Sequence, residues 1–254
     1  MSKFDSQIAT FATYLGDDML VLGHRLSEWC GHGPMLEEDI ALTNIALDCV
    51  GQAKFYFDLA GRLENQGRDA DKLAYWRDER EFKNCVLVEL PKGDFGVTIL
   101  RQFLYETFYD LVLADLTNSK FEPLKDLALR AKRETNYHLK HTTEWIYRLG
   151  TGTAESHKRM QVALDYLYRY TAELFADDEV LDALSREQIA PKFSSLKQSW
   201  VNKVQTVLQA ATLEIPTPVQ GFSLNGRLGR HSEHLGHMLS EMQIVARSHP
   251  GATW

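Results

Sequence analysis

Residues 35–65 read MLEEDIALTNIALDCVGQAKFYFDLAGRLEN. Apolar residues recur there with a helical period, no proline interrupts them, and the stretch opens on Glu37, Glu38 and Asp39. Early carboxylates suit the positive end of a helix dipole, so the stretch predicts one long helix. The flanks agree. From about Ser6 to Cys30, Ile8, Phe11, Leu15, Met19, Leu22, Leu26 and Trp29 fall at helical spacing, and Gly31-His32-Gly33-Pro34 stops the run. On the other side a shorter, heavily charged amphipathic segment spans Asp71 to Asn84, and Pro91-Lys92-Gly93-Asp94 makes a turn. Two more long helices follow over about Phe95–Thr117 and Glu122–Leu149, the latter closed by Gly150-Thr151-Gly152. Ala154–Ala176, Lys192–Ala211 and Gly229–Ser248 read as three further helices, with an irregular loop from Pro216 to Gly226. No stretch alternates as a strand would.

Helices of roughly 22–30 residues are about 33–45 Å long at ~1.5 Å per residue. Four of them predict an all-α fold. Residues of about 6–150 form an antiparallel four-helix bundle, helices of about 153–250 pack outside it, and 1–254 make one domain. Composition narrows the function. A formal charge of -7 leaves no broad basic footprint for nucleic acid. No apolar run approaches the ~18 residues that span a membrane. The start MSKFDSQIATF lacks a basic region followed by an apolar one, so no secretory signal is expected. Three cysteines, Cys30, Cys49 and Cys85, are an odd number without a close pair and fit a reducing cytoplasm.

Long four-helix bundles often hold two irons, using a carboxylate from each of two helices and a Glu-x-x-His pair from each of the others. The three-residue spacing brings Glu and His onto one face. None of the nine histidines has Glu or Asp three residues before it. Where such pairs would sit, the second helix carries Cys49 and Gln52 and the fourth carries Thr135 and His138. These four are expected to be vestigial ligand positions: a single imidazole among neutral groups is a poor home for a hard, doubly charged centre. Asp48, Arg133, Glu134 and His138 then read as polar or ionic contacts in or near the core, because buried charges persist only when paired.

The last helix offers another cluster, His231, His234 and His237. Successive three-residue steps drift around a helix by ~60°, so a surface or interface role is the readier reading than a zinc site. His24, Arg25 and Glu28 read as a solvated face or a charged interior pair. No nucleophile elbow and no phosphate loop after a strand is present. Tyr105, Phe108, Tyr109, Tyr166, Tyr168 and Tyr170 have the spacing of core residues.

Several strings carry a family resemblance almost from end to end. They are LGDDMLVLGHRLSEWCGHGP, DIALTNIALDCVGQAK, YWRDEREFKNCVLVELPKGDF, RETNYHLKHTTEWIYRLGTGT, YTAELF and HSEHLGHMLSEMQ, with PGATW at the end. The chain resembles the PaaC-type structural subunit of bacterial phenylacetyl-CoA epoxidase (ring-1,2-epoxidase), within the ferritin-like superfamily. The resemblance implies a non-catalytic subunit that holds no metal or cofactor of its own and supports a related catalytic subunit carrying the di-iron centre. A small bridging subunit and a flavin and iron-sulfur reductase complete the complex, which uses oxygen and NADPH to epoxidise the ring of phenylacetyl-CoA. By itself such a chain is expected as a homodimer or within a hetero-oligomer. The rival is a ferritin-like oxidase or oxygenase with an unconventional metal site of His138, Glu134, Asp48 and Asp110; a free-standing helical adaptor is the third. The last helix and the tail Pro250–Trp254 are candidates for the contact with the catalytic subunit. Trp254 docking on its own bundle is the alternative.

Overall fold

The computed structural model describes residues 4–217 and 224–252. Four long helices form where the periodic stretches predict them: α1 (Asp5–Ser27), α2 (Leu36–Glu64), α5 (Phe95–Leu116) and α6 (Glu122–Gly150). Between them lie the short α3 (Ala70–Tyr75) and α4 (Val86–Glu89). Beyond them come α7 (Ala154–Tyr168), α8 (Glu179–Arg186), α9 (Phe193–Ala210) and α10 (Glu233–Ser248). No strand occurs among the described residues, and the fold is an all-α bundle. The boundaries have local causes. The Asp94 carboxylate accepts the Val97 N–H at 2.9 Å and starts α5, while Asn65 in the left-handed region ends α2.

α1 packs along α2, α5 packs along α6, and the pairs also meet where α2 faces α6. A part-buried His141–Glu38 contact of 2.8 Å ties α6 to the start of α2. α7 and α9 cover α5 and α6, α8 covers α1, and α10 rests on α3. One hydrophobic cluster runs from Ile8 on α1 to Leu239 on α10. At its centre Phe108 meets Phe193 edge-on at 5.0 Å, and Phe175 meets Trp200 at 5.3 Å. Each such ring contributes up to ~3 kcal/mol by leaving water.

Three elements differ from the sequence reading. Apart from a single 3-10 turn at Glu79–Glu81, the charged segment read over Asp71–Asn84 is α-helical only to Tyr75. There the Arg77 Nε donates to the Leu73 carbonyl at 2.5 Å, occupying an acceptor that a continuing helix would use, and its guanidinium turns inward to Asp17. α7 stops at Tyr168 and gives way to a tight turn over Thr171–Phe175, because Glu173 is drawn inward to accept the Val86 N–H at 2.9 Å. α8 lies in a stretch where the sequence showed no helix; Asp178 caps it by accepting from Leu181 N at 2.9 Å. Trp254 and most of the loop from Pro216 to Gly226 lie outside the described residues.

The segment before α10 is fastened to the first half of the chain by buried ionic contacts. Arg227 donates to both carboxylate oxygens of Asp18 on α1, at 2.6 and 3.1 Å, and to the Tyr14 carbonyl at 3.1 Å. Asp18 also accepts from Cys85 N at 2.7 Å and from the Tyr105 hydroxyl at 3.1 Å. Next to it Asp17 binds the Arg77 guanidinium and the Lys83 N–H at 2.7 Å. Gly226 must be glycine here, since a Cβ would lie 1.8 Å from the Asn84 carbonyl oxygen. The lock is thus made by side chains far apart in sequence.

Candidate functional site

In the middle of the bundle, side chains from α2, α5 and α6 meet, Cys49 and His138 among them. α2 brings Asp48, Cys49 and Gln52 to the interior, α5 brings Glu106 and Tyr109, and α6 brings Glu134, Thr135 and His138. His138 lies between two carboxylates: Nδ1 is 2.6 Å from Glu106 and Nε2 is 3.1 Å from Asp48. The His138 side chain is fully buried and Glu106 almost so, whereas Asp48 keeps 40% of its side chain exposed. Alongside, the Gln52 Nε2 donates to Glu134 at 2.6 Å, and its carbonyl accepts from the Tyr109 hydroxyl at 3.0 Å. Tyr109 in turn shares a 2.9 Å hydrogen bond with Tyr56.

The electrostatics follow from this placement. Burial by itself lowers an imidazole's pKa, but the carboxylates of Glu106 and Asp48 outweigh it and raise that of His138 from 6.5 to about 10. Burial also raises the Glu106 carboxyl while His138 pulls it back down, so the two are coupled, with both ring nitrogens facing carboxylate oxygens. Burial pushes the Cys49 thiol well up, reinforced by the charges of Glu106 and Asp48, so it stays protonated. The sign for stability is clear. A folded pKa above the unfolded one stabilises fully below about pH 6.5 and loses that contribution as the pH climbs through about 10. The melting temperature of the free chain should therefore fall between pH 7 and 10, and His138→Gln should flatten that slope. An equally steep slope in both proteins would assign it to other groups.

Among the described residues, Cys49, Glu106 and His138 are the group whose ligand atoms lie within 4.8 Å of one another. This donor set does not fit a carboxylate-bridged pair of irons. Such a pair takes four carboxylates and two histidines; here Gln52 and Thr135 are neutral, Cys49 is a thiol, and His138 is a single imidazole with Glu106 and Asp48 on its two nitrogens. One Glu106 oxygen and the Thr135 hydroxyl lack a hydrogen-bond partner among the described residues. They are too few to replace the missing carboxylates. Binding an ion there would require breaking the contacts of His138 with Glu106 or Asp48 and expelling the Cys49 proton.

The other candidates separate. Asp110 does not face the centre: it is paired with Lys132 at 2.7 Å and Lys203 at 2.8 Å. The rival set of His138, Glu134, Asp48 and Asp110 is therefore not one site. Arg133 is exposed and forms no ion pair among the described residues, contrary to the expected core contact. His231 is buried against Glu89, 2.8 Å from its Nδ1, and 2.9 Å from the Phe82 carbonyl, so the expected surface position fails for it. It precedes α10, while His237 on α10 is exposed. Arg25 is buried and reaches the Glu89 and His234 carbonyls and, at 2.7 Å, Glu28, which is exposed, so the pair lies at the edge of the bundle, between the two alternatives. Sequence reasoning missed Glu106, because a Glu-x-x-His pattern looks only three residues before each histidine. A glutamate inside the apolar run 99–113 was the available signal.

The all-α bundle, with His138 held between Glu106 and Asp48 in its interior, is a ferritin-like fold. The chain belongs to the family of phenylacetic acid catabolic proteins, which it matches over residues 2–254. It is 43% identical over 249 residues to a subunit of the 1,2-phenylacetyl-CoA epoxidase of Escherichia coli (strain K12), covering 98% of this chain and all of that protein.

Proposed function

We propose that this chain is the metal-free, non-catalytic helical subunit of a phenylacetyl-CoA epoxidase in aerobic phenylacetate breakdown. In this reading it forms one domain over residues 1–254 and works in the cytoplasm. It scaffolds a related catalytic bundle that carries the two irons, with a bridging subunit and a reductase completing the complex. The observation that carries the proposal is the seating of the His138 ring between Glu106 and Asp48, with Gln52 rather than a carboxylate beside Glu134. In this reading the ring takes the place of a metal between the carboxylates. The relationship to a subunit of the Escherichia coli epoxidase supports the assignment to that complex.

Elemental analysis tests it. After anaerobic loading with ferrous iron and desalting, the isolated chain should retain far less than one iron per molecule. A content of about two per chain, as in functional bundles of this kind, would overturn the metal-free reading.

A further inference from the structure

A cavity of about 340 Å³ opens between α2 and α6. Among its lining residues Gln52, Tyr56 and Ala131 are buried and form the inner end, while Phe55, Arg130 and Arg133 are exposed and form the mouth. The volume falls at the lower end of the range for small-molecule sites. It is about twice the ~150 Å³ void that admits benzene, which leaves room for roughly thirteen non-hydrogen atoms.

The walls select the occupant. Phe55, Tyr56, Leu127 and Ala131 offer apolar surface. Arg130 and Arg133 stand one helical turn apart on α6, and neither forms an ion pair among the described residues. Lys132, between them in sequence, is by contrast held by Asp110 at 2.7 Å. The Arg130 guanidinium lies 5.9 Å from the centre of the Phe55 ring, so cation and apolar wall meet at the mouth. Two guanidinium forks without a counter-ion beside an apolar chamber match a ligand with an apolar body and one planar anion.

The inner end sets its direction. Glu134 accepts there from Gln52 at 2.6 Å, and the Gln52 carbonyl is taken by Tyr109 at 3.0 Å. Their polar atoms are engaged, and the Glu134 carboxylate repels an anion that enters head first. A ligand whose apolar body leads keeps its charge at the arginines. A second cavity of about 680 Å³ adjoins the mouth and shares Phe55, Leu127 and Arg130 with the first. Asp58, Asp69 and Asp126 there balance Arg62, Arg68 and Arg130, so it has no net attraction for a polyphosphate tail.

The geometry points to a binding site for a small carboxylate with an apolar body, its chain between Phe55, Tyr56 and Ala131 and its carboxylate on Arg130 and Arg133. The site is independent of the subunit role proposed above, and its test is calorimetric titration of the full-length chain with octanoate. Octanoate should fill a single saturable site, with octanamide and octylamine binding about tenfold or more weakly, the worth of a charge-assisted hydrogen bond. Arg130→Gln/Arg133→Gln should lose the same factor while melting like wild type, since both side chains are exposed and unpaired. Arg130→Glu/Arg133→Glu should reverse the preference, so that octylamine binds more tightly than octanoate. Equal affinity for octanoate and octanamide would show that the arginines do not read the charge. Unchanged octanoate affinity in the double glutamine variant would put the binding elsewhere on the chain. Either result overturns the site, as does the lack of saturable octanoate binding at millimolar concentration.

Discussion

Replacing Arg227 with alanine is expected to destabilise the free chain by about 3–5 kcal/mol, the usual cost of leaving one member of a buried ion pair alone. Its guanidinium holds both oxygens of Asp18, which has no exposed surface. It also lies over the Tyr14 ring at 5.1 Å and donates to the Lys83 carbonyl at 2.5 Å. Without it, burial drives the Asp18 pKa further up, with only Cys85 N and the Tyr105 hydroxyl left to hold the carboxylate. At ~2–4 °C per kcal/mol for a chain of this size, the melting temperature should drop by ~6–20 °C. Thermal unfolding followed by circular dichroism measures it. The double variant Arg227→Met with Asp18→Leu should recover most of the loss, since an apolar pair leaves no charge stranded. A loss below ~1 kcal/mol for the single variant would mean that water reaches Asp18 and screens it.

Glu106→Ala should cost a similar ~3–5 kcal/mol, because it strands the His138 imidazolium in the core. Asp48→Ala should cost no more than ~1 kcal/mol: its side chain is 40% exposed and its charge is largely screened by solvent. Glu134→Ala removes the acceptor of Gln52 and should fall near the ~1 kcal/mol of a single hydrogen bond. Sequence alone places Asp48 and Glu134 in or near the core, and the geometry moves the large effect to Glu106. Denaturant titration of the three variants and of Glu106→Ala/His138→Ala would order them. The cycle should show a coupling of more than ~1 kcal/mol between Glu106 and His138. If Asp48→Ala equals Glu106→Ala, the ring's charge is held chiefly from the other side.

The long helices were legible because each carries its own period and its own stops: Gly31 to Pro34, Pro91 to Asp94, Gly150 to Gly152. Cys49, Gln52, Thr135 and His138 were legible for the same reason, since position along a helix dictates which face a side chain joins. Glu106 was not. Its place at the centre depends on how α5 is rotated against α6, which spacing within one helix cannot reveal. The end of α3 and the lock at Arg227 were hidden likewise. An arginine whose partner lies 209 positions away leaves no local pattern.

That separation also sets an order of events at the ribosome. At ~5–20 residues per second, Arg227 is added on the order of 10–40 s after Asp18. During that interval α1 and α2 have been synthesised and can pair through their apolar faces, while an acid destined for the interior waits for its cation. The nascent hairpin must therefore keep the Asp18 face of α1 hydrated or its carboxyl protonated. A later-made segment, by delivering one guanidinium, closes what an earlier-made helix had to leave open.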